Sequence, residues 1–145
     1  MIRYFYCDGG KAESGLGKAH SGDCGIRAAA IAENQGYRKT KAEMNDLLHE
    51  MTGGLLRSCN DGTPEPVLHK YLIDRGYRLR LTPNSYMSDL PDLVSIREAI
   101  VVACLPRHFV CVQRGVVLDT WDSRKSKRTK CGWQKLEGFY EKQRH

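Results

Sequence analysis

Three residue types that nucleophilic acyl chemistry requires stand in order along this chain: Cys24, His108 and Asp119. Cys24 falls where a glycine-rich run, residues 9–22, gives way to the strong helix formers of Ile26-Arg27-Ala28-Ala29-Ala30. That places it on the first turn of a predicted helix, where free N–H groups and the positive end of the dipole favour a thiolate. A free cysteine is more often a small buried hydrophobe than a nucleophile. Cys24 is set apart by its loop-to-helix position and by what lies downstream. A thiolate nucleophile needs a partner that takes its proton and later reprotonates the leaving group, and histidine suits this because it titrates near neutrality. His108 opens a predicted strand after Pro106-Arg107, with Phe109 and Val110 directly behind it. His49 and His69 fall inside predicted helices and His145 is terminal, so a solvated or structural role is expected of them.

A third group must hold the imidazole in the right tautomer. Asp119 follows His108 by eleven residues, on the neighbouring strand of a predicted hairpin, and Asp122 is the competing carboxylate. Alternate side chains of a strand share a face. A regular strand over 116–121 therefore puts Val117, Asp119 and Trp121 on one side, with the indole placed to keep water off the pair. Asp122 then opens the polar turn Asp122-Ser123-Arg124, where water would screen it. Both faces carry apolar residues, so parity alone leaves open which one meets His108.

The elements that must position these groups are legible in outline. Residues 2–6 have strand composition and are expected at a sheet edge. A first helix is predicted over 24–35, stopped by Gly36. Thr40-Lys41-Ala42-Glu43 reads as a capping box opening a second helix, whose stripe is Met44, Leu47, Leu48 and Met51 and whose end is Gly53. Thr63-Pro64-Glu65 starts a third, with Pro at its first position and Gly76 after its end. The period then changes. Residues 77–82 alternate as a strand, 83–95 read as loop with room for a helical turn, and 99–105 form a continuous apolar run suited to a buried strand. Residues 108–113 and 116–121 make a hairpin across Arg114-Gly115, and 133–140 return as a strand or a short helix. A helical front half followed by an antiparallel sheet is an α+β plan.

At 145 residues the chain is expected to form one domain over 1–145, large enough to bury a core without disulfides or metal. No stretch approaches the roughly 18 apolar residues of a membrane span. The N-terminal segment is too short and polar for a signal peptide, so the cytoplasm is the expected compartment and the six cysteines should be reduced. No pair has C-x-x-C spacing, and the glycines at 9–17 lack P-loop spacing, so neither a zinc or redox motif nor a nucleotide site is expected. The net charge of +6 is carried by residues 123–145, while residues 1–122 balance to zero. The excess centres on a basic loop at 123–131, with Arg124, Lys125, Lys127, Arg128 and Lys130. Arg27, just after the nucleophile, is expected to be a structural ion-pair residue.

The order of Cys24, His108 and Asp119-Thr120-Trp121 resembles that of the papain-like cysteine peptidases, in which Cys starts a central helix and His and then Asn or Asp follow. Small phage and bacterial members of this clan show a similar D-C-x-x-R-A start, here Asp23-Cys24-Gly25-Ile26-Arg27-Ala28. They also show a late H-x-x-x-V and D-T-W-D, here His108 to Val112 and then Asp119-Thr120-Trp121-Asp122. The ovarian-tumour-type deubiquitinases are more distantly similar. The resemblance implies a papain-like fold and a Cys-His-Asp triad that hydrolyses peptide or isopeptide bonds without a cofactor. It selects Asp119 over Asp122 as the orienting acid. Where papain-type enzymes place an oxyanion-stabilising Gln six residues before the Cys, this chain has Lys18. The Cys24 N–H is then one oxyanion donor, with His20 or Lys18 as candidates for the second. The expected partner is a peptide or protein substrate, with no membrane partner. The alternative is a weak or inactive peptidase-fold binding protein that grips an acidic partner or nucleic acid through residues 124–130.

Overall fold

Helices give way to strands just after Gly76, where the hydrophobic period changes. The computed structural model describes residues 2–15, 23–56 and 64–143. Among them the order is β1 (Arg3–Tyr6), α1 (Cys24–Ala32), α2 (Tyr37–Met51), α3 (Glu65–Asp74), β2 (Tyr77–Tyr86), α4 (Leu90–Leu93), β3 (Ile100–Leu105), β4 (His108–Gln113), β5 (Val116–Asp119) and β6 (Lys135–Lys142). The six strands form one mixed sheet in the order β1-β5-β4-β3-β6-β2, and the architecture is α+β.

Both faces of the sheet are covered, which is why β3 is a continuous apolar run rather than an alternating one. On one face Val102, Cys111 and Tyr140 pack against Ile26 and Ala29 of α1, Met44 of α2 and Leu68 and Leu72 of α3. On the other, Val101, Val112, Val117 and Phe139 pack with Ile2, Met87 and Leu90. The alanines of α1 serve two ends. They are the strongest helix formers, and their small side chains let the helix lie close to β4.

Several boundaries differ from expectation, each for a local reason. α1 ends at Ala32 rather than at 35, because Asn34 takes the left-handed conformation (φ 51°). The N–H of Gln35 then donates to the Ala30 carbonyl and that of Asn34 to Ile31, closing the end in a Schellman motif. Gly36 becomes the residue before α2, which starts at Tyr37. The expected capping box is therefore inside the helix. Thr40 Oγ1 donates back to the Gly36 carbonyl, and Glu43 accepts from Gln35 and Tyr71. Pro64 lies just outside α3 and it is Pro66 that occupies the first turn. Strand β2 runs on to Tyr86 through an irregularity between Leu81 and Ser85. The sheet is not wholly antiparallel. β1 pairs parallel with β5, which a connection through most of the chain permits and a hairpin would not. The last segment is a strand, and it lies inside the sheet between β3 and β2.

Candidate active site

Cys24 is the first residue of α1 and is half-buried. Burial pushes its thiol up. Hydrogen bonding to the His108 side chain and the Phe109 backbone, with the nearby positive charges of His108 and Arg27, outweighs burial and holds the thiol below its ordinary value. The sulfur therefore sits between the helix start and the first two residues of β4.

Two turns bring His108 and Asp119 together. Pro106 and Arg107, the latter at φ 56°, link β3 to β4 immediately before His108. Arg114 and Gly115, at φ 52° and 79°, form the tight connection from β4 to β5, the twist-matched geometry that favours a two-residue hairpin. The register pairs Gln113 with Val116, Val112 with Val117 and Cys111 with Leu118. Counted onward, it sets Asp119 opposite Val110 and Trp121 opposite His108. β5 ends at Asp119, and the chain then turns so that the carboxylate and the indole both reach the imidazole. His108 Nε2 lies 2.5 Å from Asp119 Oδ2, and the His108 and Trp121 ring centroids are 4.9 Å apart. Nε2 is thus taken by Asp119, which leaves Nδ1 for the thiol.

Burial acts to lower the His108 pKa, but its contacts with Asp119 and Cys24 prevail and raise it to about 9. For Asp119, itself 3% exposed, burial acts upward and is overcome by His108, by the Ser123 hydroxyl and by the Thr120 N–H, leaving the carboxyl below its usual range. Ser123 Oγ donates to Oδ2 at 2.9 Å and the Thr120 N–H to Oδ1 at 2.7 Å. The acid is held from four directions, since Arg27 Nη1 also lies 3.0 Å from Oδ1.

Arg27 joins the two ends of the site. Its Nε is 3.0 Å from Asp23 Oδ1, one turn back at the residue before α1, while Nη1 reaches Asp119 and the Thr120 hydroxyl. Asp23 precedes α1 without capping it through its side chain. Its buried carboxylate instead accepts from Tyr37 at 2.7 Å and pairs with Lys11 at 2.7 Å. The ion-pair role expected of Arg27 is what its contacts show. Lys11, Tyr37 and Ser123 were not singled out from the sequence. Asp23 and Arg27 carry a signal, their i, i+4 spacing, and Ser123 lies four residues after Asp119, whereas Lys11 and Tyr37 meet the site only through tertiary packing.

Asp122 turns away from the imidazole and makes a fork with Arg124, whose Nε lies 2.9 Å from Oδ1 and whose Nη2 donates to Oδ2 at 2.9 Å. Arg124 also donates to the Ile2 carbonyl, and Lys125 stacks over the Trp133 ring at 3.5 Å. Two cations of the basic loop are thus engaged with the fold, while Lys127, Arg128 and Lys130 are exposed. His49 is exposed on α2, and His69 shares a hydrogen bond with the Tyr140 hydroxyl. Lys18 and His20, the two candidates for a second oxyanion donor, lie outside the described residues, as do Cys59 and His145.

No family model, no curated protein and no solved structure matches this chain. Among the described residues, no helix is long and apolar enough to cross a membrane.

Proposed function

We propose that this chain is a papain-like cysteine peptidase or isopeptidase with Cys24 as nucleophile, His108 as general acid and base, and Asp119 as orienting group. The observation that carries the reading is one imidazole held at Nε2 by a buried carboxylate while it also hydrogen-bonds to a half-buried thiol at a helix start. The opposite pKa displacements of Cys24 and His108 favour a thiolate–imidazolium pair. In the reaction the thiolate attacks the scissile carbonyl carbon and the C–O π pair moves to oxygen. The imidazolium gives its proton to the departing amine as the C–N bond breaks, leaving a thioester on Cys24. Water then attacks the thioester as His108 takes its proton. Cys24 leaves, and the acid product and the starting pair are restored. Asp119 keeps the ring aligned through both halves and stabilises its charge.

The test is cleavage of a complex peptide mixture by the whole chain, read as new N-termini by mass spectrometry. New termini with the wild-type protein and none with Cys24→Ser are expected. A folded wild-type protein that produces no new termini, yet binds an acidic polymer through residues 124–130, would replace this reading with that of a binding protein.

A further inference from the structure

On the helix-covered face, one row of paired residues crosses four strands and ends beside the nucleophile. Leu81 of β2 pairs with Gly138 of β6, Gly138 with Cys104 of β3, and Cys104 with Phe109 of β4. Phe109 follows His108, and its backbone hydrogen-bonds to Cys24. A cavity of about 200 Å³ lies along this row, walled on its remaining sides by Leu79 and Tyr140. Its floor is bare for a physical reason. A Cβ on Gly138 would stand 2.9 Å from the Arg80 carbonyl oxygen, so the close approach of β6 to β2 excludes any larger residue.

The chemistry of the walls is mixed in a particular way. Leu81 is 71% exposed, an unusual state for a large aliphatic side chain beside a cavity. Glu65, at the first position of α3, and Glu137, on β6, contribute two exposed carboxylates. Neither has a hydrogen-bond or ion-pair partner among the described residues. Arg80 of β2 is engaged elsewhere: it lies by the Phe139 ring and donates to the Leu93 carbonyl. Burial, and then the fields of Glu65 and Glu137, push the Cys104 thiol up to about 12, so both carboxylates are felt inside the cavity. An apolar trough with negative charge at its rim suits a side chain with a hydrocarbon stem and a cationic head.

We propose that this trough receives a lysine or arginine side chain of the substrate, close to the bond that Cys24 attacks. The stem lies against Leu79, Leu81 and Phe109, and the head meets Glu65 and Glu137. The preferred substrate class is therefore a basic peptide or a protein segment with Lys or Arg near the cleavage point. The proposal rests on the reading of Cys24 as nucleophile, and its test separates the two.

Nα-Acetyl-lysine N-methylamide and its norleucine counterpart are titrated into the full chain carrying Cys24→Ser, and the Phe109 and Gly138 amide resonances are followed. The lysine compound is expected to shift both resonances saturably. The norleucine compound should bind about fivefold more weakly, the scale of a solvent-exposed ion pair. Glu65→Gln with Glu137→Gln, both at exposed positions, should bring lysine down to the norleucine level, and added salt should do the same in the parent. Shifts at neither amide, or undiminished lysine binding by the double variant, would overturn the proposal. Alkylation of the wild-type chain by iodoacetamide reads the Cys24 thiolate without using the trough. Failure there condemns the nucleophile, and the titration still decides the trough.

Discussion

Arg27 and Asp119 lie 3.0 Å apart, Nη1 to Oδ1, and join the first turn of α1 to the end of β5 across ninety-two residues of chain. The contact locks the element that carries Cys24, the proposed nucleophile, to the element that carries Asp119, the proposed orienting acid. Both side chains are nearly buried, 13% and 3% exposed, and the same guanidinium also holds Asp23. Removing one member of such a cluster leaves buried charge uncompensated. Arg27→Gln should cost about 3 kcal/mol of unfolding free energy at neutral pH, on the scale of a broken buried pair. The Asp23 and Asp119 carboxyls are held low in the fold, so the stability they contribute is present above the ordinary 3.8 and is lost as pH falls below it. The penalty of the variant should therefore shrink in acid. Urea unfolding at neutral and at acidic pH measures both, and a penalty that does not depend on pH would show that the loss is one of packing.

Asp119→Ala should lower turnover by roughly two to four orders of magnitude, as when other triads lose their orienting acid. Asp122→Ala should cost far less, because its carboxylate is spent on Arg124 rather than on His108. Steady-state kinetics on one peptide substrate compares the two. A larger loss from Asp122→Ala would mean that the register of the hairpin misplaces the acid.

The pH profile carries the signs of the two pKa displacements. A thiolate–imidazolium pair exists above the lowered pKa of Cys24 and below the raised one of His108. The rate should therefore fall on the alkaline side through about 9. His108 contributes to folding stability in the same sense: fully below its ordinary 6.5, and progressively less as pH rises through about 9. Asp119→Asn removes the contact that raises His108 most, so the alkaline limb should move to lower pH. A limb that stays in place would assign it to another group.

How far the sequence discloses this site follows from the range of the forces involved. The helix start at Cys24, the strand opened by His108 and the tight turn at Arg114-Gly115 are local decisions, and composition and spacing reveal them. The choice of Asp119 is not local. Strand parity leaves two faces open, and which carboxylate meets His108 follows from where β5 ends and from Arg27 arriving from α1. The same holds for β6, whose residues suit either a strand or a short helix until the gap between β3 and β2 takes them. The early end of α1 turns on Asn34 accepting a left-handed conformation, a state open to asparagine but not announced by it.

Replacing Lys127, Arg128 and Lys130 by Gln should leave turnover of a small uncharged substrate within about twofold, since exposed surface changes act weakly on the fold. Arg124 is left out of the set because it braces Asp122 and the Ile2 carbonyl. A collapse of small-substrate turnover in the folded triple variant would place the loop inside the active site.

The central claim is that Cys24 is an activated nucleophile, and limited iodoacetamide labelling near pH 6 with mass-spectrometric mapping tests it most directly. Burial pushes the Cys104 thiol up to about 12 and raises the fully buried Cys111 as well, while Cys24 alone of these three is held low. Cys131 is exposed and serves as the accessible reference thiol. Cys24 should be labelled first, ahead of Cys131 despite being less accessible, and His108→Ala should abolish its lead. Labelling that follows exposure, with Cys131 ahead of Cys24 and no change in His108→Ala, would contradict the account.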